Sequence, residues 1–90
     1  MLQDTKQVID HITEYEATKD DILLMEDMYF LEWKEYGIDC GWYDGDVNGF
    51  ITFLVKDYDW DTPIFKIVSQ NIADAKWSIE ICKEYLMKLV

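Results

Sequence analysis

Two short runs of β-branched and aromatic residues constrain the fold of this chain most. They are residues 50–56 (FITFLVK) and 64–68 (IFKIV), and such side chains favour a half-buried pleated surface. In residues 38–43, apolar side chains recur at every second position, which indicates a shorter strand. The turn-forming segments DGDVNG and DYDWDTP separate these runs. The sequence therefore predicts a small three-stranded antiparallel sheet made of residues 38–43, 50–56 and 64–68.

Two helices are predicted before the sheet. Residues 4–16 carry apolar side chains at helical spacing, namely Val8, Ile9, Ile12 and Tyr15. Residues 19–36 are apolar nearly all round, and Gly37 supplies the residue type that commonly ends a helix. An alternative for residues 28–35 is a strand, because Tyr29, Leu31 and Trp33 alternate along it. We favour the helix.

A third helix is predicted over residues 71–90. Asn71 can cap its first turn. Its apolar residues step by three and four, and they are Ile72, Ala75, Ile79, Cys82, Leu86 and Leu89. The expected fold is α+β, a single domain over residues 1–90. It has two N-terminal helices, the three-stranded sheet and a C-terminal helix packed on that sheet.

The charge of the chain limits its function. The formal net charge is -11, from 19 acidic residues against 8 basic ones, and every basic residue is Lys. A nucleic-acid-binding protein needs a basic surface, and Arg is its usual reader of phosphate and guanine. Direct binding of DNA, RNA or an anionic membrane is therefore not expected. The same negative field favours a partner protein that is itself basic.

No catalytic group or cofactor site is indicated. Cys40 and Cys82 stand far apart without the spacing of a metal site, and no Cys-His or Ser-His pattern or glycine-rich phosphate loop accompanies them. The first ten residues have no signal-peptide pattern, and charges interrupt every apolar run well short of a membrane span. We expect a cytoplasmic protein without a cofactor that is not an enzyme.

Residues 44–49 match the first half of an EF-hand calcium loop. Asp44, Asp46 and Asn48 place oxygen ligands at alternate positions, and Gly49 follows them. The match then fails, because Val55 stands where the loop needs a bidentate Glu. Asp, Asn and Gly also favour a tight hairpin turn, so the turn is preferred over a metal site.

The most unusual segment is the acidic and aromatic run at residues 57–61. If extended, it would direct Asp57, Asp59 and Asp61 to one side and Tyr58 and Trp60 to the other. Such a row of anions could imitate a nucleic-acid backbone on a basic partner. The alternative is an acidic loop whose two aromatic rings cover the core. A second candidate partner-binding face comprises Glu26, Asp27, Glu32 and Glu35.

In size and charge, the chain resembles the small acidic inhibitors that phages and mobile elements use against nucleic-acid enzymes. The resemblance implies a protein-binding inhibitor of a basic partner, such as a nuclease or a CRISPR or restriction effector. The first alternative is an immunity protein or antitoxin that neutralises a toxin. The second is a structural protein that forms a homodimer or larger assembly through residues 19–36.

Overall fold

The computed structural model describes residues 2–12, 28–43, 45 and 48–89. Five strands and one helix follow each other along the chain: β1 (Lys6–Asp10), β2 (Tyr29–Trp33), β3 (Tyr36–Tyr43), β4 (Gly49–Lys56), β5 (Phe65–Ser69) and α1 (Ile72–Met87). Each strand pairs antiparallel with the next, in the spatial order β1-β2-β3-β4-β5. The fold is α+β, but its sheet has five strands rather than three.

The prediction of a helix over residues 4–16 is wrong where the structure describes that segment. Lys6–Asp10 is strand β1 at the edge of the sheet, and its pairing register with β2 shifts between Gln7 and Ile9. A bulge of this kind adds one residue and interrupts the simple alternation of a strand. Val8 and Ile9 are therefore consecutive apolar residues, which favoured a helix over a strand in the sequence. Residues 13–16 lie outside the described residues.

The prediction of a helix over residues 19–36 is also wrong in its described part. Residues 28–36 contain β2, a two-residue turn and the start of β3, so the strand alternative for residues 28–35 is confirmed for Tyr29–Trp33. Gly37 lies inside β3 and ends no helix; a Cβ atom at this position would lie 3.2 Å from a ring carbon of Phe30. Tyr29, Leu31 and Trp33 of β2 enter the core, whereas Phe30 and Glu32 lie on the opposite face, so Phe30 is an additional apolar residue outside the core side. Residues 19–27 lie outside the described residues.

The predicted strands and the C-terminal helix are present with small changes at their ends. Residues 38–43, 50–56 and 64–68 correspond to β3, β4 and β5. α1 begins after Asn71, whose side chain accepts a hydrogen bond from the backbone N–H of Asp74 at 2.8 Å. This bond satisfies one of the free donors of the first helical turn. Within the described ranges, no helix is both long and apolar enough to span a bilayer.

The core lies between α1 and one face of the sheet. The helix contributes the buried residues Ile72, Ala75, Ile79, Cys82 and Leu86. Against them lie the alternating core residues of the inner strands, which include Tyr29, Leu31, Ile38, Cys40, Phe50 and Leu54. Successive side chains of a strand point to opposite faces. Phe30, Asp39, Phe53 and Lys66, which are cross-strand neighbours in register, therefore form a row on the other face, here called the second face.

Substitution of Gly49 by alanine is expected to lower the free energy of unfolding by about 1–3 kcal/mol, the usual cost of overpacking. A Cβ atom at Gly49 would lie 2.8 Å from the backbone oxygen of Ser69, so a strand has to move. Gly37→Ala is the control, because the nearest group there is the side chain of Phe30, which can shift. Urea denaturation of both variants measures the difference, and an equal loss at the two positions would contradict this packing.

Candidate functional site

The loop between β4 and β5 does not adopt the extended conformation that a row of carboxylates requires. Asp57 and Tyr58 have φ angles of 56° and 58°, in the left-handed region. The backbone N–H of Asp57 donates to the carbonyl oxygen of Glu35 at 2.7 Å, so the loop starts against the β2–β3 turn. Two successive left-handed residues redirect the chain. The predicted alternation of acidic and aromatic side chains on opposite sides is therefore absent from residues 57–61.

Asp59 stabilises the loop from within. Its carboxylate accepts hydrogen bonds from the backbone N–H and the hydroxyl group of Thr62. The hydroxyl bond is the main reason why the pKa of the Asp59 carboxyl is lowered. A side chain held in this way closes a turn in the manner typical of Asp in loops. Of the three predicted carboxylates, Asp59 therefore stabilises the loop through its hydrogen bonds to Thr62.

Tyr58 links the acidic loop at residues 57–61 to the second acidic face, which includes Glu32 and Glu35. Its side chain is 62% exposed, and it reaches Glu32 on β2. The negative charge of Glu32 and a hydrogen bond to it raise the pKa of the Tyr58 hydroxyl group. The loop residue Tyr58 and the strand residue Glu32 are therefore electrostatic neighbours, although they are far apart in the sequence.

The structure brings several predicted residues together at one end of the sheet. We call this surface the acidic corner, and it comprises Glu32, Glu35, Asp57, Tyr58, Trp60 and Asp61. Glu35, Asp57 and Asp61 are exposed, Glu32 is half-buried, and the Trp60 side chain is 44% exposed. A basic residue borders the corner, because Lys6 of β1 lies opposite Glu32 in the strand register. Glu26 and Asp27, the other predicted residues, lie outside the described part of the chain.

Trp60 packs against an aromatic cluster that the sequence analysis did not identify. Its ring centroid lies 6.1 Å from that of Phe53, and Tyr43 lies 6.3 Å from Phe53. Because successive side chains of β4 point to opposite faces, the sequence could have placed Leu54 in the core and Phe53 on the second face. No local signal connects Phe53 to Tyr43 or Trp60, since these contacts depend on strand register and on the path of the β4–β5 loop.

The two thiols are unsuited to nucleophilic chemistry at neutral pH. Burial raises the pKa of the Cys40 thiol to about 11 and that of the Cys82 thiol to about 12. Cys40 also accepts a hydrogen bond from the hydroxyl group of Thr52 at 3.3 Å. Because the thiolate is the reactive form, both groups behave as core residues.

The calcium half-motif falls mostly outside the described residues. Asp44 and Asp46 are among those not described, whereas Asn48 accepts a hydrogen bond from the N–H of Gly45 at 3.1 Å. β3 and β4 pair antiparallel on either side of this loop, as a hairpin requires. Among the residues that the structure describes, no group of three or more His, Cys, Asp or Glu could hold a metal ion.

A cavity of about 350 Å³ lies between β1, β2 and α1. Gln7, Leu31 and Lys83 are part of its wall, and it contains no residue of the acidic corner.

Comparisons with protein-family models, with curated proteins and with solved structures gave no match to this chain. The acidic corner is the surface where most of the described candidate residues meet.

Proposed function

We propose that the protein is a non-enzymatic inhibitor that binds a basic, nucleic-acid-binding partner protein through the acidic corner. The observation that supports this proposal most is the backbone hydrogen bond of 2.7 Å between Asp57 and Glu35. It joins the acids of β2 and its turn to the acids of the β4–β5 loop, beside two exposed aromatic rings. Carboxylates with adjacent exposed aromatic side chains are the elements of a protein-binding surface for a cationic partner.

The charge and the rings have different roles in this proposal. The net charge of -11 accelerates the approach of a basic partner, and added salt screens this attraction. Tyr58 and Trp60 supply apolar area that becomes buried in the complex, which contributes affinity that salt does not screen. Because the loop turns at Asp57 and Tyr58 and is not extended, the proposed complementarity is to a basic patch. It does not require the spacing of a phosphate backbone.

Of the two alternative functions, the first could use the acidic corner and the second is not retained. An immunity protein or antitoxin would use the same surface on a toxin, and competition by nucleic acid separates the two. Assembly through a helix at residues 19–36 is not retained, because β2 and the start of β3 occupy its described part.

A tagged pull-down from host lysate, repeated with excess DNA, identifies the partner. Displacement by DNA supports an inhibitor of a nucleic-acid-binding protein, and a partner indifferent to DNA contradicts it.

Reversal of two charges in the acidic corner is expected to weaken the complex at least about tenfold at low salt, equal to about 1.4 kcal/mol. The variant is Glu35→Lys with Asp61→Lys, which spares the loop-closing Asp59. Its dissociation constant and salt dependence are measured by calorimetry with the purified partner. We expect a smaller slope of log Kd against log salt, because fewer ion pairs form in the complex.

The control carries the same change of net charge on α1, as Glu80→Lys with Glu84→Lys. Both control residues are exposed, and among the described residues the change affects an ion pair that joins Glu80 to Lys83 at 3.4 Å on the surface. Exposed pairs of this kind contribute little to stability. If the control weakens the complex as much as the corner variant does, net charge rather than this surface governs binding.

A further inference from the structure

Three aromatic rings on the second face form a cluster around Phe53. The rings of Tyr43 and Trp60 stand nearly perpendicular to that of Phe53, with interplanar angles of 86° and 88°. Tyr43 lies opposite Gly49 at the start of β4, whereas Trp60 follows the end of that strand. The two outer rings therefore approach Phe53 from opposite ends of β4. We call the three residues the aromatic cradle.

A cation of the protein itself already lies beside the aromatic cradle. Lys66 of β5 is directly opposite Phe53 in the strand register, and its Nζ atom lies 6.0 Å from the centroid of the Phe53 ring. This distance is at the outer limit of a cation–π interaction. Lys66 is exposed, so its ammonium group can leave the ring for water at little cost.

The electrostatic surroundings favour a cation at the same place. Trp60 stands between Asp59 and Asp61 in the chain, and the whole molecule carries a net charge of -11. The faces of aromatic rings attract cations through their quadrupole, and nearby carboxylates add to that attraction. Lys and Arg side chains bind over the faces of Trp, Tyr and Phe, and aromatic cages recognise quaternary ammonium groups and methyl-lysine.

We propose that the aromatic cradle is a binding site for a cationic Lys or Arg side chain of the partner protein, which replaces Lys66 over Phe53. The proposal rests on the proposed function, since it names the group of a basic partner that this protein recognises. It also extends the interacting surface from the acidic corner onto the second face, with Trp60 shared by both. Lys66 is an intramolecular competitor, because its ammonium group already lies 6.0 Å from the Phe53 ring in the free protein.

The first experiment uses a small cation in place of the partner. The chain is labelled with 5-fluorotryptophan, and the ¹⁹F resonances of its 4 Trp residues are followed during titration with tetramethylammonium chloride. Trp60→Phe and Trp77→Phe variants assign the two relevant signals. We expect a saturable shift of the Trp60 signal and none for Trp77, which is 65% exposed on α1, the helix that packs on the opposite face of the sheet from Phe53.

Two additions separate cation binding from general effects. Sodium chloride at equal ionic strength tests screening, and tert-butanol tests binding of a neutral group of similar bulk. Neither should reproduce the saturable shift, because neither presents a large, weakly hydrated cation to the rings. If tert-butanol shifts Trp60 as tetramethylammonium does, or if Trp77 responds equally, the cradle is not a cation site.

Substitution of the internal cation gives a second, directional test. Lys66→Gln is expected to strengthen tetramethylammonium binding about threefold, because it removes the competitor over Phe53. Lys88→Gln is the control, since it changes the net charge by the same amount at an exposed position after α1. Unchanged or weaker binding by Lys66→Gln, or an equal gain by the control, would contradict the role of Lys66.

These measurements need no partner, so they can fail independently of the proposed function. With the partner in hand, Phe53→Leu removes the central ring while keeping an apolar residue on β4. A loss of partner affinity together with a loss of tetramethylammonium binding supports both proposals. A retained complex with a lost cation response would leave the acidic corner as the binding surface and exclude the cradle from it.

Discussion

Leu54→Ala is expected to lower the free energy of unfolding by about 2–5 kcal/mol, the range observed when a core leucine is truncated. The Leu54 side chain is fully buried, at 0% exposure, in the core between the sheet and α1. Truncation removes apolar contacts and leaves a cavity that the surrounding sheet cannot fully close. Since a domain of this size has a total stability of about 5–15 kcal/mol, the loss is a large share of it.

Val68→Ala provides the comparison on the neighbouring strand. The Val68 side chain is 48% exposed on the second face, so its truncation should cost less than about 1 kcal/mol. Both variants are measured by chemical denaturation, with the slope on denaturant checked for two-state behaviour. Equal losses at the two positions would mean that the core does not lie on the helix side of the sheet.

Alkaline pH is expected to destabilise the protein through its two buried thiols. Their pKa values in the folded chain are raised to about 11 for Cys40 and about 12 for Cys82, from 9.0 for a free thiol. Below pH 9 both the folded and the unfolded states keep the thiols protonated, so these groups cause no pH dependence there. Above pH 9 the unfolded state loses these protons first, and stability falls until the folded thiols titrate as well. The loss between pH 8 and pH 11 should be about 2 kcal/mol per thiol.

The contribution of one thiol is isolated by comparing the wild-type protein with Cys82→Ala. The variant starts from a lower stability, because α1 loses core contacts of Cys82, but its further loss from pH 8 to pH 11 should be smaller by about 2 kcal/mol. Denaturant unfolding at several pH values measures both curves. Parallel curves would show that Tyr and Lys residues, rather than the buried thiols, cause the alkaline loss.

Local patterns were sufficient for part of the fold. α1 was predicted because its apolar stripe and its Asn71 cap are both encoded within one continuous segment. β4 was predicted because a short run of β-branched and aromatic residues between turn signals has few other solutions. The same kind of reasoning failed at β1 and β2. A bulge between Gln7 and Ile9 disturbs the alternation of β1, and Phe30 adds an apolar residue to the face of β2 that points away from the core.

The candidate site could be predicted only in its composition. Asp57, Tyr58 and Trp60 were identified as unusual by their sequence, but the extended conformation assumed for them is absent because the loop begins with two left-handed residues. The contact of Tyr58 with Glu32 and the aromatic cradle around Phe53 were not predicted. Each of these joins residues from separate segments of the chain, a strand and a loop or two strands, and no pattern within one segment indicates such a pair.

The sequence by itself determined the α+β class, the positions of β3, β4, β5 and α1, and the strongly negative charge. These properties depend on side-chain type and on spacing over a few residues, which act locally. Only the tertiary structure decided that the sheet has five strands and that Glu35 meets Asp57. The reason is that strand order and register minimise the free energy of the whole core at once, so residues far apart in the chain become neighbours through packing.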